Sequence, residues 1–236
     1  MRFPNSMPLR FLSILVIIVI LFLSACKSKE DKLALDPDNI FFDYKISAEE
    51  GDDNLAILLL YKNGDEDGEA IAIEEPGKVT LDGDLLQADS TKMTGVFYET
   101  YKPIGAFAGK HTITFTSPAN HAYKEDFDFK PVLLLSEIPD TIQRNDLVFE
   151  FDGLESEDYI RVVLTDTAFE NEGINKVDSI LNGQLIISRD RLEGLNNGPV
   201  HLEFIREFER PIKNSTEAGG RLQIIYSLKR DFILKD

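Results

Sequence analysis

Val79-Thr80-Leu81-Asp82-Gly83-Asp84-Leu85-Leu86 reads as two short strands folded back on an Asp-Gly pair. Val and Thr favour extended backbone, and Asp-Gly supplies the positive φ that both central residues of a tight hairpin turn require. The pattern returns about 100 positions later as Ser179-Ile180-Leu181-Asn182-Gly183-Gln184-Leu185-Ile186, with Asn-Gly in the turn. Two more segments recur in the same order. Gly109–Phe115 parallels Gly198–Phe204, and Lys124-Glu125-Asp126-Phe127 parallels Lys229-Arg230-Asp231-Phe232. Three ordered matches predict a duplicated module. The alternative is that good turn sequences are few, so that unrelated hairpins look alike.

Working outward, the chain from about Phe41 shows short apolar alternations separated by turn residues. Leu55–Tyr61, Ala70–Ile73, Lys78–Leu81, Met93–Tyr98, His111–Thr116 and Tyr123–Phe129 form a first set of expected strands. Leu147–Phe151, Tyr159–Leu164, Gln184–Ile187, Pro199–Phe204 and Leu222–Leu228 form a second. No long segment holds a helical period. The expected fold is all-β, with tandem immunoglobulin-like β-sandwich modules of about 100 residues each. Prolines at 131 and 139 bracket Val132–Glu137, which places the boundary there: residues 39–131 form one module and 132–236 the next.

The 236-residue chain carries 42 acidic against 25 basic side chains, a formal charge of −17. Such a surface repels phosphate backbones, which argues against nucleic acid as a partner. Trp is absent, and sugar platforms favour its broad face. Phe97, Tyr98, Tyr101 and Phe107 are aromatics that line either a site or the core, and alternation favours the core.

The N-terminus has a different character. Arg2 and Arg10 precede an apolar run from Phe11 to Leu23, followed by small residues and the single Cys of the chain. This is the layout of a secretory signal peptide, and the run is too short to span a bilayer. Leu23-Ser24-Ala25-Cys26 resembles a bacterial lipobox. The resemblance implies cleavage of residues 1–25 and acylation of Cys26 with three chains, hence a membrane partner through the lipid. Residues 26–38 then form a lipidated flexible tether. Losing Arg2 and Arg10 makes the remainder more acidic still. Lys27-Ser28-Lys29-Glu30-Asp31-Lys32, with a Lys and two acids close behind the Cys, resembles the export signal of Bacteroidetes-type surface lipoproteins. It implies the extracellular face of the outer membrane; a solvated tether would have the same composition.

Asn63, Asp65, Asp67 and Glu74 place oxygen donors at alternate positions with a later Glu, the spacing of a calcium loop. Their flanks read as strands, so a polar hairpin loop is the competing reading. No other cofactor is expected. Ser90, Thr141, Thr167 and Ser179 each follow an Asp and precede Thr, Ile or Ala. They resemble O-glycosylation acceptors of Bacteroidetes-type envelope proteins, although Asp-Ser and Asp-Thr also favour turns and strand ends. Asn214-Ser215-Thr216 fits the eukaryotic N-glycosylation pattern, which a lipobox-bearing chain has no use for.

No catalytic motif emerges. His111, His121 and His201 lack zinc-ligand spacing, and there is neither a nucleophile elbow nor a phosphate-cradling loop. The expected function is therefore non-enzymatic: binding, adhesion or envelope assembly, with a protein or glycan partner. A glycan-capturing accessory lipoprotein of a nutrient-uptake system is the first alternative. A hydrolase using two buried carboxylates in a cleft is the second.

Overall fold

The computed structural model describes residues 39–154, 158–167 and 173–236. Cys26 and the segments expected to form the signal peptide and the tether lie outside them. The described chain belongs to one compact unit, Asp36–Asp236, and its regular structure is almost all strand.

The first eight strands are β1 (Ile40–Glu49), β2 (Asn54–Asn63), β3 (Lys78–Leu81), β4 (Asp84–Leu85), β5 (Ala88–Thr91), β6 (Gly95–Pro103), β7 (Gly109–Thr116) and β8 (Ala122–Phe129). They pair as β1-β2-β6-β5 in one layer and β4-β3-β7-β8 in the other. That is the A-B-E-D and C′-C-F-G order of an immunoglobulin-like sandwich. Alternating side chains explain the layering. Ile40, Phe42, Tyr44 and Ile46 of β1 turn inward with Leu55, Ile57, Leu59 and Tyr61 of β2. They meet Ile113, Phe115, Tyr123 and Phe129 from the facing sheet. Phe42 lies 5.3 Å from Phe115 edge-on, and Tyr61 lies 5.0 Å from the same ring. Such aromatic pairs add about 1 kcal/mol each beyond their buried area.

The second eight are β9 (Leu133–Leu134), β10 (Thr141–Gln143), β11 (Leu147–Asp152), β12 (Tyr159–Asp166), β13 (Ile174–Ser179), β14 (Gln184–Ile187), β15 (Gly198–Pro211) and β16 (Gly220–Lys235). One layer runs β14-β11-β9 and the other β13-β12-β15-β16, with β10 parallel to the end of β16. The immunoglobulin-like order appears again, with Phe149 and Phe151 each 5.0 Å from Phe204 across the core. A short α-helix, α1 (Arg189–Leu192), connects β14 to β15, and a 3-10 turn, Ile104–Ala106, follows β6.

The β15–β16 hairpin is much longer than one sandwich needs. Its tip half, Ile205–Pro211 and Gly220–Ser227, runs beside the first sandwich, where β16 pairs in parallel with β1 from Phe42↔Gly220 to Glu49↔Ser227. One nine-stranded sheet thus crosses both sandwiches. The close approach requires glycine at 220, since a Cβ there would stand 2.6 Å from the Phe42 carbonyl oxygen.

Two expectations need correction. Ala70–Ile73 is not a strand; it makes only a bridge between Ala70 and Lys62, because its residues stay half-exposed with no facing layer. The three internal matches also divide. Gly109–Phe115 with Gly198–Phe204, and Lys124–Phe127 with Lys229–Phe232, do fall on equivalent strands. Val79–Leu86 spans β3 and β4, whereas Ser179–Ile186 joins β13 to β14, a different connection. Both turns have positive φ at both central residues, +52° and +91° at Asp82-Gly83 and +52° and +78° at Asn182-Gly183. The shared turn is local chemistry, which recurs wherever a tight reversal is wanted.

Candidate functional site: a cleft beside the shared hairpin

β8 is an edge strand, and the tip half of β15 is the nearest part of the hairpin to it. Between them opens a cleft of about 710 Å³. Alternation puts Arg206, Phe208 and Arg210 of β15 on one face, with Ile224 of β16 opposite Phe208 in register. Lys110, His111 and Thr112 of β7, Asp126, Phe127 and Asp128 of β8, Lys130, Asp158 and Lys213 complete the lining.

Glu125 holds Arg210 in place. Its side chain is 2% exposed on the inward face of β8. Oε2 accepts the Lys213 backbone N–H at 2.8 Å, and Oε1 lies 2.5 Å from Arg210 Nη1, off the donor axis and so ionic rather than hydrogen-bonded. Arg210 Nη2 donates to the Asp126 carbonyl at 2.8 Å. Arg206 reaches Asp158 at 3.0 Å. The two arginines are therefore held in place before any ligand arrives. Phe208, by contrast, is 40% exposed.

Further ion pairs fasten the hairpin to the first sandwich. Asp43 of β1 takes Arg221 Nε at 2.9 Å and Lys62 Nζ at 2.7 Å. Burial pushes the Asp43 carboxyl up, but hydrogen bonds and charge from Arg221 and Lys62 more than reverse this and hold it below its ordinary value. Lys229 meets Glu49 at 2.6 Å, and Arg230 meets Glu50. Deeper in, Tyr44 and Tyr61 share a hydroxyl contact of 3.2 Å, and burial raises both phenols well above their ordinary value.

The residues singled out from sequence are scattered. Asn63 ends β2, and Asp65 and Asp67 sit in the following loop, where Asp65 Oδ1 accepts the Asp67 N–H at 3.0 Å. Glu74 is exposed further along. Among the described residues no three His, Cys, Asp or Glu side chains are grouped to hold a metal. Ser90 on edge strand β5, Ser179 on edge strand β13 and Thr167 are exposed; Thr141 is half-buried on β10. Phe97, Tyr98 and Phe107 are buried, while Tyr101 points to solvent. His111 stacks on Phe107 at 3.6 Å, with Nδ1 2.7 Å from Asp82 and Nε2 2.8 Å from the Phe107 carbonyl. His201 pairs with Asp231 across the β15–β16 ladder. Of the cleft lining, His111 was weighed from the sequence; the others were missed, although Arg206-Xaa-Phe208-Xaa-Arg210 is a period-two stripe visible in the sequence.

No protein-family model matches the chain, and no curated protein matches it. Solved structures similar to it include the crystal structure of DIP-gamma IG1+IG2, 10% identical over 83% of this chain and 95% of that one, with a TM-score of 0.24. A bacterial ice-binding adhesin structure is 11% identical over 83% of this chain and 65% of that one, TM-score 0.26. The Yersinia pseudotuberculosis adhesin InvE is 10% identical over 81% and 60%, TM-score 0.22. Likeness at this level carries no argument about this chain; its fold rests on its own strand order.

Proposed function

We propose that this chain is an outer-membrane lipoprotein, anchored through Cys26 and displayed outward, that binds its partner in the cleft beside the shared hairpin and performs no catalysis. The cleft is the observation that carries the reading. It is of ligand-pocket size, and its arginines are preorganised by carboxylate partners, Asp158 and the buried Glu125, which lowers the ordering cost of binding. Among the described residues the buried carboxylates are Asp43 and Glu125, and each is committed to cations. That favours a structural role for them over the acid pair of a hydrolase.

Two measurements test the proposal. Protease added to intact cells should release fragments of residues 39–236 without lysis, and Cys26→Ala should move the chain out of the membrane fraction. The full chain in detergent micelles, applied to arrays of glycans and peptides, should give signals that Phe208→Ala together with Lys213→Gln reduces about tenfold or more. Array signals indifferent to both substitutions, or none at all, would sink the cleft as the binding site.

A further inference from the structure

We infer that the cleft takes an acidic oligosaccharide, a chain of sugar rings bearing carboxylates. The inference rests on the binding role just proposed and names its ligand class. The lining supplies three things such a ligand needs. Phe208 offers a partly open aromatic face between Arg206 and Arg210; a pyranose ring presents an apolar C–H face that packs on such a ring, because the π cloud is electron-rich. Asp126 and Asp128 offer carboxylate oxygens to hydroxyls, Asp126 while also accepting from Thr112 Oγ1 at 2.6 Å, and Lys110 and Lys213 offer donors. A polyhydroxyl ligand uses both kinds at once.

Charge selects the acidic version. The lining holds five Lys and Arg against three Asp; with Asp158 on Arg206 and Glu125 on Arg210, the three lysines still outnumber Asp126 and Asp128, in a chain where acids outnumber bases 42 to 25. A cation-rich cleft in an acidic surface concentrates anions locally while the rest of the surface repels them.

A peptide added as a strand along β8 fits less well. Strand addition needs a free main-chain edge. Arg210 already occupies the Asp126 carbonyl in mid-strand, and Glu125 holds Arg210 there. Side chains rather than backbone must therefore make the contacts in this cleft.

The experiment is a calorimetric titration of the full chain in detergent micelles with tetragalacturonate, maltotetraose and a tetraglutamate peptide. Tetragalacturonate should bind, and maltotetraose should bind about tenfold or more weakly. Phe208→Ala, and separately Lys110→Gln with Lys213→Gln, should each weaken tetragalacturonate about tenfold. These side chains are exposed, so unchanged melting temperatures will show the variants folded. Equal binding of maltotetraose, or tetragalacturonate binding that ignores Phe208→Ala, overturns the inference. Tetraglutamate binding with the same dependence on Phe208 reassigns the cleft to acidic peptides. If no probe binds while an array signal still depends on Phe208, the ligand class falls and the binding role stands.

Discussion

Asp43 stands in β1 between Phe42 and Tyr44, and its charge is what lets a polar residue sit there. Replacing it with Asn leaves Lys62 without its counter-ion and Arg221 with only the more distant Glu66, at 3.6 Å. The cost should be about 2 kcal/mol, at the low side for a broken buried pair because Arg221 remains 38% exposed. The folded-state carboxyl is depressed, so its contribution is fully present above the ordinary carboxylate value of about 4 and is lost as pH falls through the lower folded value. The gap between wild type and Asp43→Asn in urea midpoint should therefore be constant from pH 7 down to about 5 and close at more acid pH. A gap that instead grew in acid would contradict the assignment. Glu125→Ala should cost about 3 kcal/mol, since Lys213 loses its acceptor and Arg210 its partner, though a fifth of Arg210 stays wet. Urea denaturation reads this directly. Neither acid stood out in the sequence, because 42 carboxylates look alike until burial separates them.

At the scale of elements, turns were the most legible feature. Asp82-Gly83 and Asn182-Gly183 adopt the positive φ expected of them because only short polar residues and glycine tolerate it. The two glycines nonetheless differ in surroundings. A Cβ at Gly83 meets open space, whereas one at Gly183 lies 3.2 Å from the Phe151 carbonyl. Both Ala substitutions should destabilise by about 1 kcal/mol through strain. Gly183→Ala should cost more, and thermal melts of the two variants will show whether the order holds. Strand ends were less legible. Pro199–Phe204 was expected to stop where the apolar run stops, yet β15 continues through Arg206, Glu207, Glu209 and Arg210 to Pro211. Charged alternation looks like a loop until a neighbouring strand supplies the hydrogen bonds.

Across the whole molecule, the hairpin makes two sandwiches into one sheet system. Its basic side chains Arg210, Arg221, Lys229 and Arg230 all meet acids of the first sandwich. Loss of either core would strip the hairpin of a partner layer, so the two should unfold together. Trp reporters introduced as Phe115→Trp and Phe149→Trp, one per core, should show the same urea midpoint. Two separated transitions would mean that the hairpin contributes little coupling. What the sequence by itself determined was the all-β, immunoglobulin-like class and the turn positions, because alternation and turn chemistry act over a few residues. Tertiary structure alone decided the parallel pairing of β1 with β16, exemplified by Asp43 and Arg221, 178 positions apart. It also decided the cleft beside that pairing. Both depend on which distant edges come together, a choice set by packing of two finished sandwiches and written in no local pattern.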